Sequence, residues 1–463
     1  MLSRILMCLA LLGGGAMPFW TATPAFAVTM DDVRKAVAEK RMFDAFQDLQ
    51  DLAKTGDPVA EYELGGFYHW GNVGPADFTK ARMWYERSAK QGNADAMVGL
   101  AVLYGAGQGV TQDKAASYRW LVLASSQHLP PDAAARIASA RDDLAKHLTP
   151  EQIEAASELV HQAIGASPQI CWPLLSERVG AETWVKHENH LPTGAFKVRG
   201  GVAYIARLRR EQPNVRGVIA ATRGNHGQSV AFAARQFGLP AIIVVPHGNS
   251  RAKNAAMRAY GAELIETGHD FQAAYEATQA IAEERGLHFL RSFHPWLLDG
   301  VATYGWELMR AAPDLSTVYV PIGLGSGICS TILARDLIGA KTEIVGVVAE
   351  NAPAYALSFE TKRPVSTNSA DTMADGMACR VPVEDALKMI WQGAARVIRV
   401  SEADIAGAMR AYFADTHNVA EGAGAAALAA ALKDKERKAG KVGLILSGGN
   451  VDTDVYAGVL SGA

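Results

Sequence analysis

Gly217-Val218-Ile219-Ala220-Ala221-Thr222-Arg223-Gly224-Asn225-His226-Gly227 runs from a short apolar stretch into a cluster of turn residues, and a helical pattern follows to Phe237. A β-rich run without polar alternation predicts a strand buried on both faces. The theme recurs at Ala241–Val245, Val318–Ile322, Glu343–Val348 and Val442–Leu446. Such runs, separated by helical patterns, predict parallel sheets in an open α/β fold. Ligands in that fold sit beyond the carboxyl ends of the strands. The loops after these runs are therefore where chemistry is expected.

Three of those loops carry unusual residues. Thr222-Arg223-Gly224-Asn225-His226-Gly227 follows the first run. Gly323-Leu324-Gly325-Ser326-Gly327 follows Val318–Ile322 and opens a helix, and Ser447-Gly448-Gly449-Asn450 follows Val442–Leu446. Upstream, Thr193-Gly194-Ala195-Phe196-Lys197-Val198-Arg199-Gly200-Gly201 sets one lysine among small residues behind an aromatic. A lone lysine is usually solvated surface, and a lone glycine-rich loop is a weak sign of a dinucleotide site. The four segments in this order are far more specific. Together they resemble the threonine dehydratase and serine racemase branch of the fold-type-II pyridoxal phosphate enzymes, over roughly residues 147–463.

The resemblance implies a set of roles. Lys197 is the amine that carries pyridoxal 5'-phosphate, with Phe196 beside it, and it then takes the substrate's α-proton. Gly323, Leu324, Gly325, Ser326 and Gly327 cradle the phosphate on backbone N–H groups at a helix start. Asn225 bonds the ring hydroxyl and Ser447 faces the ring nitrogen. Thr222, Gly224 and His226 take the substrate carboxylate, with Arg223 beside them. The chain also departs from the family. Serine racemase has a serine where Arg223 stands, on the ring face opposite the lysine. A guanidinium does not return a proton at neutral pH, so elimination is expected over racemisation. The racemase metal positions are expected at Val348 and Ala354, which carry no ligand. His187 and His190 stand three apart, but a structural role is expected for them and no metal.

The first half reads differently. Ala60, Leu64, Tyr68, Gly71, Asp77 and Trp84 recur 36 residues later as Ala96, Leu100, Tyr104, Gly107, Asp113 and Trp120. A fixed period in this range signals stacked helical hairpins. Gly71 and Gly107 are expected to stop the first helix of each unit. This resembles the Sel-one-like branch of the tetratricopeptide family, which implies a protein partner and no catalysis. Leu129-Pro130-Pro131-Asp132 breaks the pattern. Thr149 and Pro150 are placed to start a new helix. At the start of the chain, Arg4, the apolar run Ile5–Leu12 and Ala25-Phe26-Ala27 read as a secretory signal peptide. The expected organisation is thus a signal peptide over 1–27, helical repeats over 28–128, a linker over 129–146 and the α/β domain over 147–463.

Composition sets the outer limits. Of 463 residues, 49% are hydrophobic and 20% charged, with a net charge of −3, which excludes a mostly disordered chain. No Lys/Arg block suggests nucleic acid, and no run suggests a membrane span. Cys8 falls in the signal, so Cys171, Cys329 and Cys379 are expected as free thiols. The reading is an ammonia-lyase acting on a small β-hydroxy amino acid by β-elimination: L-threonine first, L-serine second, a hydroxylated acidic amino acid third. Serine racemase is the alternative activity. A repeat-based binding protein with an idle second domain is the competing class. The resemblance implies a homodimer. The signal peptide implies export, to the periplasm in a Gram-negative cell, whereas the family is mostly cytoplasmic. Few core contacts are expected to cross the boundary near 146, leaving the repeats to recruit or localise.

Overall fold

The computed structural model describes residues 28–462 apart from 126, 128–129, 131–132 and 138–149. The signal-peptide expectation, the Thr149 cap and most of the 129–146 linker fall outside the described residues. The helix expected near Thr149 is present as Pro150–Ile164.

Two sheets divide the α/β half. The strands are β1 Gln169–Cys171, β2 Thr183–His187, β3 Val218–Ala221, β4 Ala241–Val245, β5 Glu263–Glu266, β6 His288–Phe289, β7 Leu315–Pro321, β8 Glu343–Ala349, β9 Arg396–Val400 and β10 Lys441–Leu446. The larger sheet runs β1-β2-β10-β7-β8-β9 and the smaller β5-β4-β3-β6. All pairings are parallel except the antiparallel edge pair β1–β2, in which Gln169 faces Lys186. The fully apolar runs are the inner strands: every residue of β3 and β4 is buried. Of the strands absent from the sequence reading, β1, β5, β6 and β9 lie at edges, with polar residues as in Glu263–Glu266 and Arg396–Val400, whereas β2 is interior and carries Thr183, Lys186 and His187. Helices cover both faces. One of them, Gly422–Lys433, is almost all Gly and Ala and is buried over its first ten residues, because only small side chains allow it to sit that close to its neighbours.

The repeats are two helical hairpins. Pro58–Trp70 pairs with Phe78–Lys90, and Ala94–Ala106 with Lys114–Ser125, each element starting 36 residues after its counterpart. Asp57 and Asn93 cap the first helices by accepting from backbone N–H groups at Ala60 and Ala96. Gly71 and Gly107 end those helices at φ +65° and +70°, where a side chain would be strained. Two further helices, Met30–Ala38 and Met42–Lys54, precede them.

The expectation of few core contacts across the boundary does not hold. Leu100, Leu103, Tyr104 and Leu121 of the repeats share one apolar cluster with Leu298, Tyr304, Leu308 and Ile332 of the α/β half. The junction is built by packing of folded helices rather than by the polar segment near 146, so local composition there gave no sign of it.

Candidate active site

The cavity lies between the two sheets, beyond the carboxyl ends of β3, β7 and β10, and has a volume of about 550 Å³. Every position given a cofactor or substrate role in the sequence lines it: Phe196 and Lys197, Thr222 to His226, Gly323 to Gly327, and Ser447.

Lys197 is the first residue of the helix Lys197–Glu211. Its placement depends on a crossing of two loops. Ala195 bridges Gly448, the Phe196 N–H donates to the Ser447 carbonyl, and the Gly449 N–H donates to the Gly194 carbonyl. The lysine Nζ donates to Ser326 Oγ over 2.7 Å and stands 4.8 Å from the centre of the Phe196 ring. It is half-exposed to the cavity, yet the surrounding walls desolvate it and lower its pKa to about 8.

The glycine-rich loop makes its turn at Gly325, φ +96°, where an added Cβ would lie 2.5 Å from Ala386 Cβ. Ser326 then opens the helix Ser326–Ile338, so the loop's N–H groups and the helix start point to one place. Tyr304 braces the far side: its hydroxyl donates to the Gly327 carbonyl over 2.7 Å, and its ring meets Phe196 edge-on at 5.9 Å. The Leu324 carbonyl accepts from Tyr355.

On the small-sheet side, Thr222 Oγ1 accepts from the N–H groups of Gly224 and Gly227. His226 is buried. Burial, with Lys197 next in importance, lowers its pKa to about 3, and its Nε2 has no hydrogen-bond partner. Asn225 donates from Nδ2 to Glu421 Oε1 over 2.6 Å and accepts at Oδ1 from Asn450 over 2.9 Å. One amide hydrogen is left over. Arg223 is exposed at the cavity and makes no hydrogen bond or ion pair among the described residues.

Several residues of the site were missed. Glu421 is buried, and desolvation raises its pKa against the pull of Lys253 and Asn225. Lys253 reaches across from the smaller-sheet half to Asp375 over 3.1 Å and to Glu421 over 3.5 Å. Burial alone would lower the Lys253 pKa, but those two carboxylates raise it. No local pattern marked them. Only Asn450 stood in a quoted motif.

Behind the lysine lies a second, closed set of charges. Arg199, fully buried, pairs with Glu188 over 2.7 Å and with Glu307 over 2.6 Å. Lys186 and His161 also reach Glu307. Burial would raise the Glu307 pKa, yet Arg199 and Lys186 hold it down to about 2.

Two readings need correction or closer placement. Strand β8 runs on to Ala349, so the carboxylate at its end is Glu350 and the position six beyond is the buried Ala356. Val348 and Ala354 are not the comparable positions. His187 and His190 stack at 4.9 Å, with their nitrogens engaged by Trp172, Asn189 and Asn418. Among the described residues no three His, Cys, Asp or Glu side chains cluster as metal ligands, and Cys171, Cys329 and Cys379 are free.

A desolvated, half-buried amine beside a helix-opening glycine loop, with an unpartnered imidazole nitrogen and a free amide hydrogen nearby, is a donor set that fits pyridoxal 5'-phosphate. The chain belongs to the pyridoxal-phosphate dependent enzymes, whose family model matches residues 160–448; two Sel1 repeats match 58–93 and 94–129. It is 35% identical over 315 residues to the L-threonine ammonia-lyase of Thermotoga maritima, covering 68% of this chain and 78% of that protein. It is 31% identical over 309 residues to the L-threo-3-hydroxyaspartate ammonia-lyase of Saccharomyces cerevisiae, covering 66% and 94%. The structure of maize serine racemase superposes with a TM-score of 0.63 at 28% identity, covering 67% of this chain and 96% of that one. The protein is a pyridoxal 5'-phosphate enzyme with an N-terminal helical repeat region. No helix among the described residues is long and apolar enough to cross a membrane.

Proposed function

We propose that the protein is an ammonia-lyase that converts L-threonine, and L-serine second, to a 2-oxo acid and ammonia. The observation that carries this is Lys197: one desolvated, half-buried amine with a pKa lowered to about 8, 2.7 Å from Ser326 Oγ at the mouth of the glycine loop. When bound, pyridoxal 5'-phosphate supplies the electron sink that makes the α-proton of an amino acid acidic. Gly323 to Gly327 would hold its phosphate. Asn225 would offer its remaining amide hydrogen to the ring hydroxyl, and Ser447 would serve the ring nitrogen. The N–H groups around Gly224 and His226 receive the substrate carboxylate.

Lys197 Nζ, in its neutral form, would take the α-proton of the bound amino acid. His226 stays neutral and does not compete as a base, since its pKa is near 3. The β-hydroxyl would then depart as water with the proton that Lys197 has taken up, which returns the lysine to its neutral form. The released enamine takes up water and gives the 2-oxo acid and ammonia, so the net change is substrate to 2-oxo acid plus ammonia. Arg223 replaces the serine that serine racemase carries on the face opposite its lysine, and a guanidinium supplies no proton there, which favours elimination over racemisation.

A second substrate reading has its own support. The unpaired Arg223 guanidinium suits a second carboxylate, as in a β-hydroxylated acidic amino acid. The experiment is 2-oxo acid release by the cofactor-loaded protein from L-threonine, L-serine and L-threo-3-hydroxyaspartate. The highest kcat/KM on threonine supports the first reading, and the highest on hydroxyaspartate replaces it with the second. No release from any of the three overturns both.

Two further proposals concern assembly and place. The α/β half pairs as a homodimer, which light scattering on the purified chain tests. Residues 1–27 direct export, supported by their basic start, apolar run and Ala-Phe-Ala end. Fractionation of a cell expressing the tagged chain tests that, and a purely cytoplasmic product of full length contradicts it.

A further inference from the structure

The second repeat hairpin is welded to the α/β half by charge as well as by apolar contact. Arg119, 2% exposed, meets both carboxylate oxygens of Asp299, with Nη2 to Oδ2 at 3.0 Å. Arg207 donates from Nη1 to Asp113 over 2.8 Å, and its guanidinium lies 5.1 Å from the Tyr104 ring and 4.6 Å from Trp296. Tyr118 packs with Ala302 and Leu333, and Val122 and Leu337 close over them. Charges this deeply buried are costly unless each is paired, so the two surfaces are complementary to each other and poorly suited to water.

The helices gripped in this way are the ones that make the cofactor site. Lys197–Glu211 starts with Lys197 and carries Arg207 ten residues on, about 15 Å along the helix. Ser326–Ile338 starts at the glycine loop and carries Leu333 and Leu337. Between them, Pro295–Ala311 carries Asp299 and Ala302 and then Tyr304, which holds the Gly327 carbonyl and the Phe196 ring. Two helices are fixed at the cavity by their first residues and by the repeats further along. The third links both grips.

We propose that the repeats act as a fixed brace for the phosphate loop: their partner on this face is the α/β half of their own chain, and the contact sets the affinity for pyridoxal 5'-phosphate. The proposal rests on the cofactor, and is independent of which amino acid is consumed.

The test uses the full chain and the variants Arg119→Ala and Arg119→Lys, neither of which touches the cavity. Cofactor affinity is read by absorbance titration, stability by thermal unfolding with and without cofactor, and kcat at saturating cofactor. The brace predicts one unfolding transition that cofactor raises. It predicts at least tenfold weaker cofactor binding in Arg119→Ala, a smaller loss in Arg119→Lys, and a saturated kcat within threefold of the parent. If Arg119→Ala does not fold, Val122→Ala trims the same contact and should weaken binding at least threefold. Unchanged cofactor affinity in variants that lose stability would show the contact to be glue alone. Two unfolding transitions, of which one ignores cofactor, would likewise overturn the proposal. A parent chain that binds no cofactor would instead refute the enzyme reading.

Discussion

Two groups of charges lie a few residues apart in this chain, and they are handled in opposite ways. Lys186, Glu188, Arg199 and Glu307 close on one another, with Ser167 and Thr303 taking up further hydrogen bonds from Arg199. Lys197, Arg223 and the Nε2 of His226, by contrast, face the cavity without a charged partner. Arg199 and Lys197 are two residues apart on one helix, yet one is spent on structure and the other is held ready. A buried polar atom left without a partner is expensive, so the open Nε2 of the buried His226 marks a place where a ligand supplies the missing partner. The paired set anchors the helix start that presents the unpaired one.

The sharpest way to break this contrast is at Lys197. Lys197→Ala should lose the absorbance of the lysine-linked cofactor and reduce turnover by about a thousandfold or more, with the thermal midpoint little changed. Retention of both signals would remove the central residue from the account. The opposite outcome is expected at Glu307. Glu307→Gln strands Lys186, leaves Arg199 with Glu188 alone, and should cost about 3–5 kcal/mol of stability, read by denaturant unfolding. Because the Glu307 pKa is lowered from 4.5 to about 2, the stability it confers is present above pH 4.5 and lost as pH falls through about 2. That acid-linked loss should vanish in the variant.

Arg223 tests whether an unpaired cation reads substrate. Arg223→Ala should lower kcat/KM on L-threo-3-hydroxyaspartate by about ten- to a hundredfold and leave threonine within a few-fold. An equal loss on both would make Arg223 a general loop contact. Arg223→Ser should gain some D-serine formation. The smallest effect concerns proton state. In protein stripped of cofactor, Lys197 is nucleophilic only when neutral, and its pKa is near 8. The rate of cofactor capture should therefore rise about tenfold per pH unit below 8 and level above it. A flat profile would place the lysine's pKa elsewhere.

The legible parts share a cause. Inner strands such as Val218–Ala221 and Ala241–Val245 announce themselves because both faces are buried, and Lys197, Asn225, Gly323–Gly327 and Ser447 stand in short motifs at strand ends. The 36-residue period marked the hairpins down to the glycines that end their first helices. What was not legible comes from tertiary approach. Glu421, Lys253 and Asp375 meet from separate elements, each in unremarkable local sequence. Edge strands such as Arg396–Val400 carry charges that hide their period. The weld between repeats and α/β half is carried by Arg119, Arg207 and Asp299, each of which reads in sequence as an ordinary surface charge.

One measurement bears most directly on a site with a single ready base. The cofactor-loaded protein is incubated with L-serine while pyruvate and D-serine are followed together. Lys197 as the one ready base, with Arg223 in place of the racemase serine, predicts pyruvate forming much faster than D-serine. D-serine accumulating at a comparable rate would show a second proton donor in the cavity and contradict the account.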